Sequence, residues 1–124
     1  MLLHEALTGK ILSCAYTVHS ELGPGLLENA YEECFYYEMV EKGLYVEKQR
    51  KMPLVYKEVE LDVGYRLDLV VEDTVIIELK AVDALAPIHT AQLLTYLNLS
   101  GLPLGYLMNF NVTSLKNGIK RFVM

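Results

Sequence analysis

From about Leu3 to Leu22, apolar residues at Leu7, Ile11, Cys14, Ala15, Val18 and Leu22 recur at three- and four-residue spacing, predicting a helix with one buried stripe. Gly23-Pro24-Gly25 stops it, since a glycine cap followed by proline cannot continue a helix. A second helix is predicted from about Leu26 to Lys42, with Leu27, Ala30, Tyr31, Cys34, Phe35 and Met39 facing inward and Gly43 ending it. The period then changes to two. Leu44 to Tyr56 reads as a strand interrupted near Pro53, Lys57-Glu58 as a turn, and Val59 to Val71 as a second strand or bulged pair containing Gly64. Thr74 to Lys80 is a third strand. Pro87 opens a helix to about Ser100 whose apolar positions are Ile88, Ala91, Leu94, Leu97 and Leu99. Gly101-Leu102-Pro103 breaks it, Leu104 to Phe110 is strand-like, and Ile119 to Val123 is a short last strand after the Asn117-Gly118 turn. The order α-α-β-β-β-α-β-β predicts an α+β fold, an αβββαβ core with a mixed sheet flanked by helices and one extra N-terminal helix.

Polar residues stand where this pattern expects none. Val75-Ile76-Ile77-Glu78-Leu79-Lys80 is the apolar, β-branched run of a strand buried on both faces, yet it ends in a carboxylate and an amine. Residues two apart share a face, so Glu78 and Lys80 lie roughly 6–7 Å apart on one side. Asp68 interrupts a second apolar run, Leu67 to Val71, and a hairpin through Glu72-Asp73-Thr74 brings Asp68 beside Glu78. The ordinary alternative is a Glu78–Lys80 ion pair with Asp68 a solvated turn residue. Charges in a core-bound run are costly unless paired, hydrogen-bonded or metal-bound, and two carboxylates beside one ammonium suit a divalent cation and an anionic substrate.

Two further groups lie on apolar elements. Glu28 opens the second helix, where the helix dipole alone favours a carboxylate, and His19 and Glu21 flank the preceding break within reach of the same cleft. Gln92 and Tyr96 lie one turn apart, with His89 on the same face, as a polar ridge after the charged strand. It is either a solvated helix face or a means of orienting a phosphate, a base edge or Lys80.

Composition narrows the classes. A chain of 124 residues, 52% apolar and 22% charged, fits one globular domain spanning 1–124. There is no secretory n-region and no apolar run of the ~18 residues that span a bilayer. Cys14 and Cys34 fall in helical patterns without metal spacing and read as reduced core thiols of a cytoplasmic protein. A net charge of −5 disfavours generic nucleic-acid affinity but not a metal nuclease, whose carboxylates are offset by cations. Lys48, Arg50, Lys51 and Lys57, then Lys116, Lys120 and Arg121, form either solvated faces or a weak phosphate-tracking rim. Nine tyrosines and a mean hydropathy of +0.23 leave room for a homodimer interface.

Gly25-Leu26-Leu27-Glu28-Asn29-Ala30-Tyr31 reads as G-x-x-E-x-x-Y. With Asp68, Glu78-Leu79-Lys80 and Gln92-x-x-x-Tyr96, the chain resembles the GxxExxY family of the PD-(D/E)XK nuclease superfamily from about Thr8 to Val123. Leu67 stands where the motif's proline would be. The resemblance implies a restriction-endonuclease-like fold and hydrolysis of DNA phosphodiesters. It further implies that Asp68, Glu78, the Leu79 carbonyl and Glu28 hold Mg²⁺ or Mn²⁺, that Lys80 neutralises charge at the phosphate, and that Gln92 and Tyr96 position Lys80 or the strand. The alternatives are a nuclease-fold module that binds nucleic acid or protein without cutting, and a structural or oligomerisation domain.

Overall fold

The computed structural model describes residues 4–124, so Leu3, the expected start of the first helix, lies outside the described residues. Helix α1 spans Glu5–Leu22 and α2 spans Glu28–Glu41. Between them Gly23 takes a φ of 65° and gives its N–H to the His19 carbonyl at 2.8 Å, ending α1 in a conformation that disfavours side chains. The strands are β1 (Val46–Lys51), β2 (Leu54–Tyr56), β3 (Val59–Leu61), β4 (Arg66–Val71), β5 (Val75–Lys80), β6 (Leu104–Asn109) and β7 (Ile119–Val123). Helix α3, Pro87–Ser100, joins β5 to β6, and a short 3-10 turn at Leu115–Gly118 precedes β7.

Five strands form one mixed sheet in the order β1-β4-β5-β6-β7, in which β5 and β6 are parallel and the other pairs antiparallel. Parallel neighbours need a crossover, and α3 supplies it. The αβββαβ core with an additional N-terminal helix is therefore present. The strand expected up to Tyr56 with an interruption near Pro53 is indeed split, at Met52-Pro53. Its second part pairs with β3 as a separate two-stranded ribbon, and the expected second strand breaks between Leu61 and Arg66 around Gly64. Proline cannot donate to a ladder, which is the reason for the split.

The sheet buries a different core on each face. Ile11, Cys14, Ala15 and Val18 of α1 and Tyr31, Phe35 and Met39 of α2 pack with Leu69, Val71, Val75, Ile77, Leu79, Tyr106 and Met108. Leu93, Tyr96 and Leu97 of α3 pack with Val70, Ile76 and Leu107 on the other. Gly105 permits this second contact, since a Cβ there would lie 3.0 Å from Leu97 Cδ1 and 3.1 Å from Leu93 Cδ1.

Three expected stripes need correction. Leu22 of the first stripe is exposed, falling one turn past the last residue that reaches the sheet. In α2 Leu27 is 75% exposed because the helix begins after it, Cys34 is exposed on the flank, and Glu32 is buried instead. In α3 Ile88, Ala91 and Leu94 are exposed, and the sheet-facing stripe is Leu93, Tyr96 and Leu97. A helix apolar on most of its surface leaves several stripes open, and steps of three alone drift about 60° off one face per step.

Candidate functional site

The β4–β5 hairpin explains how two acidic side chains enter a buried sheet. Glu72 and Asp73 take positive φ of 52° and 48°, and Thr74 N–H closes the turn on the Val71 carbonyl at 3.0 Å. Such left-handed turns match the strand twist. The ladder runs Val71–Val75, Val70–Ile76, Leu69–Ile77 and then stops. One step further Asp68 and Glu78 lie opposite each other, and side chains replace the ladder. The Asp68 N–H donates to Glu78 Oε1 at 3.2 Å, and the Leu79 N–H donates to Asp68 Oδ2 at 2.9 Å. The two strands part at this point, each carboxylate holding the other strand's freed donor. This is not the solvated-turn alternative.

Glu78 is only 5% exposed. Burial foremost, then the Asp68 charge, pushes its carboxyl up to about 9, and Lys80 opposes that shift more weakly. Lys80 is half-buried and forms no ion pair among the described residues, so the Glu78–Lys80 salt bridge is not made. Gln49 lies across from Asp68 on β1, but with a φ of 52° it drops out of the ladder that pairs Lys48 with Leu69 and Arg50 with Leu67. Its amide donates to Glu32 Oε1 at 2.7 Å and to Asp68 Oδ1 at 3.4 Å. A non-glycine residue held in this region is strained.

Helix α2 brings two acids to the open end of the hairpin. Burial raises the carboxyl of Glu28, with the Asp68 charge adding and Lys80 opposing. Burial likewise raises that of Glu32, against the bond from Gln49 and with the Asp68 charge adding. Tyr31 fixes the entry of this helix. Its hydroxyl donates to the Gly23 carbonyl at 2.6 Å and accepts the Leu26 N–H at 3.1 Å, while its ring stacks on Phe110 at 4.9 Å. The G-x-x-E-x-x-Y tyrosine thus latches the loop that leads into Glu28. His19 is engaged elsewhere, its Nε2 2.7 Å from the Val112 carbonyl. Among the described residues no three His, Cys, Asp or Glu side chains close into a cage that alone holds a metal.

From the opposite face α3 contributes Tyr96, whose phenol is raised by burial and next by the Glu78 charge. Gln92 Nε2 donates to the Tyr96 hydroxyl at 3.0 Å, so the two act as one unit. His89 caps the helix, its Nδ1 accepting the Ala86 N–H at 3.0 Å. Beyond Lys80, buried Asn109 clamps the β5 exit. Its Oδ1 accepts the Val82 N–H at 3.1 Å and its Nδ2 donates to the Val82 carbonyl at 2.9 Å.

The structure draws Asp68, Glu78, Lys80, Glu28, Gln92 and Tyr96 toward one region, along with Glu32, Gln49 and Asn109, which the sequence reading missed. Glu32 was findable, because it follows Glu28 by four residues and shares its face. Gln49 and Asn109 carried no local signal. In the basic stretch three cations have acidic partners. Lys48 pairs with Glu33 at 2.9 Å, Arg50 with Asp73 at 2.6 Å and Lys51 with Asp62 at 3.8 Å. No helix among the described residues is long and apolar enough to cross a membrane.

The family model of the PD-(D/E)XK nuclease superfamily matches residues 5–122. Neither a curated protein nor a solved structure matches the chain. With the mixed sheet, the flanking helices and a family match over nearly the full length, the chain belongs to the PD-(D/E)XK nuclease superfamily.

Proposed function

We propose that this chain is a metal-dependent nuclease of the GxxExxY type that hydrolyses DNA phosphodiesters, acting as one domain in the cytoplasm. The observation that carries the reading is the carboxylate pair at the parting of β4 and β5. Glu78 is buried against Asp68 with no protein cation bonded to either, and one Lys80 stands beside them with its charge uncommitted. Such a pair resists double ionisation until a cation joins it. Asp68 and Glu78 would each offer an oxygen, Glu28 a third directly or through water, and the Leu79 carbonyl a fourth. That carbonyl lies on the same edge of β5 as the Leu79 N–H, where β4 has already turned away. A few protein oxygens with room for water suit Mg²⁺ or Mn²⁺, which do not require an all-protein cage. When bound, the ion supplies an acidified water and a counter-charge for the leaving oxygen.

The chain's own residues do the rest. Lys80 sets an ammonium at a non-bridging phosphate oxygen, where negative charge grows in the transition state. Gln92 fixes the Tyr96 hydroxyl, and the pair orients the strand or Lys80 from the α3 side. Gln49, bonded to both Asp68 and Glu32, holds the acidic wall in register.

Purified protein with Mg²⁺ or Mn²⁺ is expected to cleave DNA. Asp68→Ala and Lys80→Ala should each abolish cleavage while the circular dichroism spectrum is retained, since losing a metal carboxylate costs several kcal/mol of transition-state stabilisation. Alanine variants as fast as the parent would remove these residues from the mechanism. The lack of a three-acid cage among the described residues favours one second reading, a nuclease-fold module that binds without cutting. Calorimetry separates the two, because the binding module takes up no Mn²⁺ at this site.

A further inference from the structure

On the α3 face, next to the Tyr96 phenol, a cavity of about 280 Å³ opens to solvent between Tyr65, Ile88, His89, Gln92, Thr95 and Tyr96. Two features of its lining are unusual together. It holds no Lys, Arg, Asp or Glu, although the chain is 22% charged and the neighbouring site is crowded with carboxylates. It also presents hydrogen-bonding groups whose own bonds leave them a free valence. His89 Nδ1 accepts the Ala86 N–H, which keeps the ring proton on Nε2 as a donor. The Gln92 amide nitrogen is engaged with Tyr96, which leaves its Oε1 as an acceptor. Tyr65 meets Tyr96 at 60°, with ring centroids 6.0 Å apart, and the residue remains 42% exposed. Ile88, 69% exposed, is the apolar part of the wall.

A phosphate has no cation to meet here, whereas a flat, neutral, polar-edged ring has a stacking face, an apolar wall, a donor and an acceptor. We propose that this cavity is a nucleobase subsite, in which Tyr65 stacks on an unpaired base next to the phosphate held at Asp68, Glu78 and Lys80. The inference deepens the nuclease reading and rests on it for the position of the phosphate. A base inside a duplex has both faces covered by its neighbours, so the subsite selects single-stranded nucleic acid or a frayed end over a blunt duplex.

Short single-stranded DNA carrying one 2-aminopurine, and a blunt duplex of the same sequence, provide the test, with binding read by anisotropy in EDTA and again in Ca²⁺. The parent should bind the single strand more tightly than the duplex and quench the 2-aminopurine. Tyr65→Ala should weaken single-strand binding about tenfold and abolish the quench, since stacking on an aromatic ring is worth about 1–3 kcal/mol per base. Tyr65→Phe should restore both. The backbone carbonyl of Tyr65, which accepts the Met52 N–H, persists in either variant. If Tyr65→Ala misfolds, Ile88→Glu, which places a charge in the neutral wall of an already exposed position, must weaken single-strand binding instead. Unchanged affinity and quench in these variants, a preference for the duplex, or no binding by the parent overturns the subsite. Cleavage in Mg²⁺ is scored separately. Tyr65-dependent binding without any cutting overturns the nuclease reading alone, and cutting that is indifferent to Tyr65 overturns the subsite alone.

Discussion

At its turn end the β4–β5 hairpin is closed by backbone bonds, with Val71, Val75, Leu69 and Ile77 fully buried on one face of the sheet. At its open end, one residue past the last ladder pair, the same strands are joined by carboxylates that take the backbone N–H groups for themselves. The first arrangement gains from apolar burial and has nothing left to offer a ligand. The second keeps Glu78 buried against Asp68 at an electrostatic cost that a bound proton or a cation relieves. One hairpin thus holds a stabilising end and a destabilised end, and the rigidity of the first is what makes the second possible. Strained or charge-crowded groups persist where the surrounding structure over-determines them.

Truncation should separate the ends by sign. Ile77→Ala at the closed end deletes a side chain with no exposed surface and should cost about 2–5 kcal/mol in urea denaturation. Glu78→Gln at the open end keeps an oxygen for the Asp68 N–H and is neutral without taking up a proton on folding, so metal-free protein should become more stable near pH 8 while cleavage is lost. The pH dependence follows the same logic. The Glu78 carboxyl titrates near 4.5 in the unfolded chain and at about 9 in the folded one. Between those values the folded state keeps a proton that the unfolded state has released, so raising pH favours unfolding across the window. Melting in EDTA should therefore fall by a few kcal/mol at most from pH 5 to pH 8, and Glu78→Gln should flatten that slope. A parent whose stability rises over this range, with a slope that Glu78→Gln leaves unchanged, would show that burial and the Asp68 charge do not hold a proton on Glu78.

The contrast between the ends also explains what was legible in the sequence. Val75 to Lys80 announced itself because a run apolar enough to be buried on both faces ends in charge, and the hairpin register placing Asp68 across from Glu78 follows from turn length alone. The element order was readable for the same reason, since period, glycine and proline are local signals. The buried face of α3 was not, because Ile88, Ala91 and Leu94 compete with Leu93, Tyr96 and Leu97 and only the sheet chooses between them. Gln49 was hidden more deeply. Nothing in Glu47-Lys48-Gln49-Arg50 predicts a φ of 52°, which is set by long-range bonds to Glu32 and Asp68.

The smallest expected effect probes whether the ends are independent. Asp73 sits at a φ of 48° in the turn, and its carboxylate accepts a bond from Arg50 Nη1 at 2.6 Å. Asp73→Gly removes a mildly disfavoured conformation, a gain of up to about 1 kcal/mol. It also removes a surface ion pair worth about 0.2–1 kcal/mol. The two nearly cancel, so the denaturation midpoint should move by no more than about 0.5 kcal/mol equivalent, with cleavage unchanged. Arg50, however, is the neighbour of Gln49, and its pair with Asp73 ties β1 to the turn. If Asp73→Gly lowers cleavage while leaving stability alone, that tether reaches the acidic wall through Gln49, and the closed end helps set the geometry of the open one.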